Sequence, residues 1–197
     1  FRTVEQGNAD YGVVPVENST EGAVGGTLDL LLANPLKVCG EVKLRIHQHL
    51  LSRAEGIGGA KRLYSHAQSL AQCHEWLNRH LANLPRIPVA SNPNNSTRFL
   101  VIAHHEAGPS GKDKTSVVCS APNRPGAMYA LLEPLARHGV DMTKLQSRPA
   151  RGGLWEYVFY VDLQGHQTDA DVAVALKELG ERAAFVKLLG SYPVAAI

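Results

Sequence analysis

The chain has 197 residues, 44% hydrophobic and 19% charged, and its 20 Lys and Arg against 18 Asp and Glu leave a formal charge of +2. At roughly 100–200 residues per domain this is one large domain or two small ones, and the near-balance of charge predicts no footprint for nucleic acid or an anionic membrane. No apolar run approaches the ~20 residues that span a bilayer, no signal-peptide pattern opens the chain, and Cys39, Cys73 and Cys119 lack the spacing of a disulfide framework or zinc ribbon, which fits a reducing cytoplasm.

In chain order, residues 1–12 (FRTVEQGNADYG) read as the end of an amphipathic helix rather than a natural beginning. Residues 11–16 form a short apolar strand with Pro15 at its boundary, and residues 22–33 a helix. Val42, Leu44, Ile46 and Leu50 alternate with Lys43, Arg45, His47 and His49, as in a half-buried strand. A weak strand at 62–64 precedes a helix opening at Ser65, whose stripe is Leu70, Cys73, Leu77, Leu81 and Leu84. Strands follow at 87–90 and 98–103. Such alternation predicts an α/β domain with a largely parallel sheet.

The polar stretch 104–114 (HHEAGPSGKDK) reads as a solvated linker. Beyond it come a strand at 115–120, a helix at 126–138 stopped by Gly139, strands at 145–148 and 154–163, a helix at 169–179 stopped by Gly180, and a strand at 185–190. This βαββαβ order is the ferredoxin-like split motif.

Three stretches could carry chemistry. In PVENSTEG (15–22) a strand runs into Glu17, Asn18 and Ser19; Asn18 with Glu21, or Ser19 alone, either caps the following helix or leaves its amides to bind an anion. In SHAQSLAQC (65–73) Ser65 and Gln68 form a capping-box pair, and Ser65, Gln68 and Gln72 lie opposite the apolar stripe, as a solvated face or a polar site. In NPNNSTRFLVI (92–102) Thr97 and Arg98 reach the mouth of a strand, where Arg98 suits a carboxylate or a surface salt bridge. His47 and His49 share a strand face but have no second ligand pair for zinc, no phosphate-binding glycine loop is present, and no metal or cofactor is expected.

Together these stretches resemble the prephenate dehydratase family. GNADYGVVPVENSTEGAV resembles its first signature, YSHAQSLAQC its second with Ala67 in place of the usual proline, and NNSTRFLVI its Thr-Arg-Phe motif, here Thr97, Arg98 and Phe99. Residues 115–193 resemble the ACT regulatory domain, with PGAMYALLEPL and LQSRPARGGLWEYVFYVDLQGH at the phenylalanine-binding motifs and Gln146 in place of a glutamate.

The resemblance implies a two-lobed, periplasmic-binding-protein-like catalytic domain over 1–104, a linker over 105–114 and an ACT domain over 115–197. The family's catalytic domain has a further strand and turn before the position of Phe1, and more elements near 91–93, so the first domain is expected to be incomplete. The implied reaction is decarboxylating dehydration of prephenate to phenylpyruvate in phenylalanine biosynthesis. Thr97, Glu17, Asn18 and Gln72 would act in catalysis, and Ser19, Ser65, Gln68, Arg98 and Phe99 would hold the substrate. L-phenylalanine would bind Gly126, Ala127, Met128, Leu145, Gln146, Ser147 and Arg148 between paired ACT domains of a cytoplasmic homodimer or homotetramer and inhibit by feedback. The alternative implied by the incomplete domain is a non-catalytic phenylalanine-binding protein or an inactive relative, and a chorismate mutase domain precedes the dehydratase in bifunctional members.

Overall fold

The first half folds as helix α1 (Arg2–Glu5), strands β1 (Gly12–Asn18) and β2 (Gly22–Ala23), helix α2 (Gly25–Ala33), strand β3 (Lys37–Ile46), a 3-10 turn (Ile57–Gly59), helix α3 (Ala67–His80) and strand β4 (Asn95–Ala103). The second half gives β5 (Asp113–Ser120), α4 (Ala127–Arg137), β6 (Met142–Pro149), β7 (Tyr157–Gln164), α5 (Ala170–Arg182) and β8 (Phe185–Pro193). The computed structural model describes residues 1–19, 22–46, 49–53, 56–65, 67–87, 95–150 and 157–195, without the side chains of 45, 46, 67, 68, 72, 95 and 96. Two four-stranded sheets form, ordered β2-β1-β4-β3 and β6-β7-β5-β8. The chain divides into two compact units, one of residues 1–14, 25–42 and 99 onward, the other of 15–24 and 43–98.

In the first unit the ferredoxin-like order predicted for the second half is present. Strand β5 pairs antiparallel with β7 and β8, and β6 with β7. Apolar residues at every second strand position and every third or fourth helix position meet on one face. There Val117, Cys119 and Val161 pack under Leu131, Leu135, Val172 and Leu179 of α4 and α5. Pro134 lies inside α4 and has no N–H for the Ala130 carbonyl; Arg182 of α5 donates to that carbonyl at 3.0 Å, so the helix continues through the proline.

The opposite face of the same sheet is closed by α2 and β3. Helix α2 (GGTLDLLLA) has no basic residue in its last turn. Lys187 of β8 supplies the cation, donating to the carbonyls of Leu31, Leu32 and Asn34 at 2.9, 2.8 and 2.6 Å, where a helix C-terminus favours positive charge. Lys114 of β5 meets Glu41 of β3 at 3.1 Å, and the Ala195 amide donates to the same carboxylate. Within this face Ser116 donates to Asp162 at 2.6 Å and shares a bond with the Tyr192 hydroxyl. All three are buried, and the pairing offsets the cost of taking polar groups out of water.

In the second unit, Leu63, Cys73, Leu77 and Leu81 are buried, with Leu70, Trp76 and Leu84 packed against them. This is the stripe read from the sequence. All three cysteines are free thiols, and burial pushes the Cys119 thiol up to about 11.

Several elements differ from expectation. The parallel sheet is not matched at β1 and β2, which pair antiparallel with Asn18 opposite Gly22; a connection this short permits only a hairpin. Residues 22–23 are therefore strand, and α2 starts at Gly25. Leu63 and Arg86 form an isolated parallel bridge. Gly180 does not stop α5, which runs on to Arg182, whereas Gly139 does stop α4 with φ +66° and carbonyl–amide bonds from Val140 to Leu135 and Gly139 to Ala136. The linker is tied down rather than simply solvated. His104 donates to the Val4 carbonyl at 2.8 Å, His105 bonds Tyr11, Glu106 pairs with Lys37, and His166 donates to the Ala107 carbonyl. Most of the strand expected at 87–90 lies outside the described residues. No helix among the described residues is long and apolar enough to cross a membrane.

Candidate functional site

Residues of the first and third signatures meet in the second unit. Glu17 and Asn18 end β1, and Thr97 and Arg98 lie near the start of the neighbouring strand β4. The Asn18 side-chain amide donates to the Thr97 hydroxyl at 3.0 Å. Asn18 is buried, so this bond is made away from competing water. A hydroxyl oxygen that accepts from an amide keeps its own proton for another acceptor.

Arg98 and Glu17 lie 3.9 Å apart, with the Arg98 side chain only 11% exposed. That distance is a charge contact rather than the two-pronged fork of a closed Arg–carboxylate pair. The arrangement sets a cation, a carboxylate, an amide and a hydroxyl side by side at the ends of two strands. It can hold an anion and present a hydrogen-bond donor to a departing oxygen.

The capping role read for Asn18 and Ser19 is not what the structure shows. The chain turns at Ser19, passes through β2 and reaches α2 only at Gly25, so neither residue stands at a helix N-terminus. Ser19 is exposed at that turn. Ser65 lies just before α3 and is half-buried; His66 and the side chains of Gln68 and Gln72 are outside the described residues. Phe99 follows Arg98 along β4 and is half-buried. Of the two histidines weighed for zinc, His47 is outside the described residues and His49 is exposed. A cavity of about 880 Å³ in this unit is lined by loop residues such as Ser52, Arg53, Lys61 and Arg62, with Tyr64 of the second signature at its edge; Glu17, Asn18, Thr97 and Arg98 do not line it.

In the first unit, Gly126 caps α4 with φ +74°, a backbone conformation costly for any residue with a Cβ. Ala127 and Met128 follow it and line a cavity of about 290 Å³ together with Asn123, Arg124, Tyr157 and Phe159. Leu145, Gln146, Ser147 and Arg148 lie on β6, and none of them lines this cavity within the single chain. Arg148 instead meets Asp29 of α2 at 3.3 Å. Asp29, Tyr160, Lys187 and Glu41 carry no local signal of their partners in the sequence. Each acts across more than seventy positions, where no local spacing signals a partner.

A family model described as prephenate dehydratase matches residues 1–93, and one described as the ACT domain matches residues 115–181. The first match ends short of Thr97, Arg98 and Phe99. The chain is 48% identical to a bifunctional chorismate mutase/prephenate dehydratase of Neisseria gonorrhoeae over all of this chain, and it spans 66% of that relative's length. That alignment takes 237 positions against the chain's 197 residues, so the relative carries residues within the matched span that have no counterpart here. A prephenate dehydratase of Mycobacterium sp. is 33% identical over 98% of this chain and 74% of its own length. The crystal structure of prephenate dehydratase in complex with L-Phe from Arthrobacter aurescens superposes with a TM-score of 0.81 at 28% identity, over 98% of this chain and 78% of that one.

Proposed function

From the premise that this chain belongs to the prephenate dehydratase family, we propose that it converts prephenate to phenylpyruvate, losing carbon dioxide and the ring hydroxyl, and that L-phenylalanine inhibits it through the ACT domain. The observation that carries the catalytic reading is the Asn18–Thr97 bond beside the Arg98–Glu17 contact, which unites two signatures far apart in sequence.

Prephenate is a dianion whose ring becomes aromatic as carbon dioxide and hydroxide depart, and that aromatisation drives the reaction. The enzyme's task is to grip two carboxylates and stabilise the charge growing on the leaving oxygen. Arg98 holds one carboxylate. The Thr97 hydroxyl, its oxygen engaged by Asn18, donates to the departing hydroxyl. A threonine hydroxyl is a very weak acid, so its role is a hydrogen bond to developing charge rather than outright proton transfer. Glu17 orients Arg98 and the substrate, while Ser19, Ser65, Gln68, Gln72 and Phe99 complete the site. The domain limits we adopt are 1–104 for catalysis, 105–114 for the linker and 115–197 for the sensor.

The regulatory reading is supported by the cavity at the start of α4 and by the L-Phe complex of the Arthrobacter relative. A homodimer or homotetramer would bring β6 of one copy towards that cavity in another and so unite the two sensor motifs. The test is incubation with prephenate, following phenylpyruvate by its alkaline absorbance, with calorimetric titration of phenylalanine alongside. Product formation inhibited by phenylalanine is expected. Phenylalanine binding without product would overturn the catalytic reading, and product without phenylalanine binding would overturn the sensor.

A further inference from the structure

Strand β6 presents its residues alternately to two sides. Leu145 and Ser147 stand opposite Val161 and Phe159 of β7, on the face packed under α4 and α5. Phe159 also lines the cavity beside Ala127 and Met128. Gln146 and Arg148 stand opposite Tyr160 and Val158, on the other face.

There Arg148 meets Asp29 of α2 at 3.3 Å, and its guanidinium packs so closely on Gly25 that a Cβ at that position would collide with it. Tyr160 donates to the Leu28 carbonyl at 2.8 Å, and Lys187 closes the C-terminal end of the helix. Helix α2 is thus held along its length by side chains of this sheet. Two residues before Gly25, Ala23 pairs with Glu17.

We infer that β6 transmits effector occupancy to α2, with the Arg148–Asp29 pair as the contact that moves. The inference rests on the sensor reading above. Strand β6 is at the edge of its sheet, hydrogen-bonded within it to β7 alone, so it is freer to shift than the strands inside. A ligand pressing on the Ser147 side displaces the same backbone that aims Arg148 at Asp29. A shift of α2 is then relayed through the short chain from Gly25 to Ala23, whose strand partner is Glu17. On this view Arg148 serves as a lever between sensor and helix, and its charge is committed to Asp29 rather than to the effector.

The test is hydrogen exchange at the α2 amides with and without L-phenylalanine, with calorimetric titration of the same samples of the whole chain. In the parent, phenylalanine is expected to change α2 exchange by about fivefold or more. Asp29→Asn should bind phenylalanine within about threefold of the parent and lose most of that change, and Asp29→Glu should restore it. Gly25→Ala displaces Arg148 without removing a charge and should uncouple α2 in the same way, which covers the case of Asp29→Asn failing to fold. Phenylalanine binding with unchanged α2 exchange in the parent overturns the inference, as do variants that respond like the parent. No binding by the parent overturns the sensor reading and this inference with it, so the titration separates the two failures.

Discussion

Asn18 and Thr97 stand seventy-nine positions apart in the chain, and the amide of one donates to the hydroxyl of the other at 3.0 Å. That direction of bonding leaves the Thr97 proton for a second acceptor, which in the proposed reaction is the departing oxygen. Thr97→Ala is therefore expected to lower turnover at least about tenfold with little change in the melting curve. Asn18→Asp replaces the donor by an acceptor that captures the Thr97 proton, and a loss at least as large is expected. Thr97→Ser keeps the hydroxyl and should retain most of the rate. Initial rates of phenylpyruvate formation, checked against far-UV circular dichroism, decide the matter. Parent-like turnover from Thr97→Ala would sink the assignment.

The Glu41 side chain is fully buried, with Lys114 and the Ala195 amide as partners. Removing the Lys114 cation weakens the compensation of a carboxylate held away from water, which costs up to about 3–5 kcal/mol. Lys114→Met is expected to destabilise by about that amount in urea unfolding. Lys114→Met combined with Glu41→Leu should recover part of the loss, because an apolar pair needs no solvation. A single variant as stable as the parent would show that the pair contributes little.

Where local physics governs, the sequence was legible. The stripe from Leu70 to Leu84 predicted α3 and its small core, and the βαββαβ order predicted the second sheet. Glycine showed the limit of such reading. Gly139 and Gly180 each follow an amphipathic helical stretch, yet of the two only Gly139 adopts the left-handed φ that stops a helix. Capping by Asn18 was a sound local inference that a hairpin overrode, because β2 pairs back on β1 before α2 begins. Pro134 should weaken α4, and the reason it does not is a guanidinium from α5. Lys187 on α2 and Arg148 on Asp29 depend on tertiary packing, and nothing in their neighbourhoods announces it.

Helices α4 and α5 carry a charge cluster with a defined pH response. Hydrogen bonds from Arg137 and then Arg182 hold the Glu133 carboxyl down to about 2 from its usual 4.5, and a bond from His138 lowers Glu178 in the same direction. The unfolded chain takes up the Glu133 proton near pH 4.5, whereas the folded chain resists it until about 2. The stabilisation is thus complete above the unfolded value and lost as pH falls through that window. Because the group is only half-buried, solvent and salt screen the effect. Glu133→Gln should lower Tm at neutral pH and flatten the acid limb, with the variant and parent curves converging near pH 2. A variant curve parallel to the parent's through that window would contradict this account.

Gly190 sits on β8 opposite Ser116, at the point where the register with β5 shifts. Its φ is +148°, and a Cβ there would overlap the backbone carbonyl of Val38 on β3. Two costs then add in Gly190→Ala: strain in a conformation open essentially to glycine, and overpacking against a main-chain atom that cannot swing aside. The expected loss is about 3 kcal/mol or more, read as a lower urea midpoint. Gly58→Ala supplies the control, since its Cβ would meet nothing within 4 Å; a change within about 0.5 kcal/mol is expected there. If Gly190→Ala behaves like Gly58→Ala, β8 does not press on β3, and the close packing of this sheet face against β3 is wrong at its tightest point.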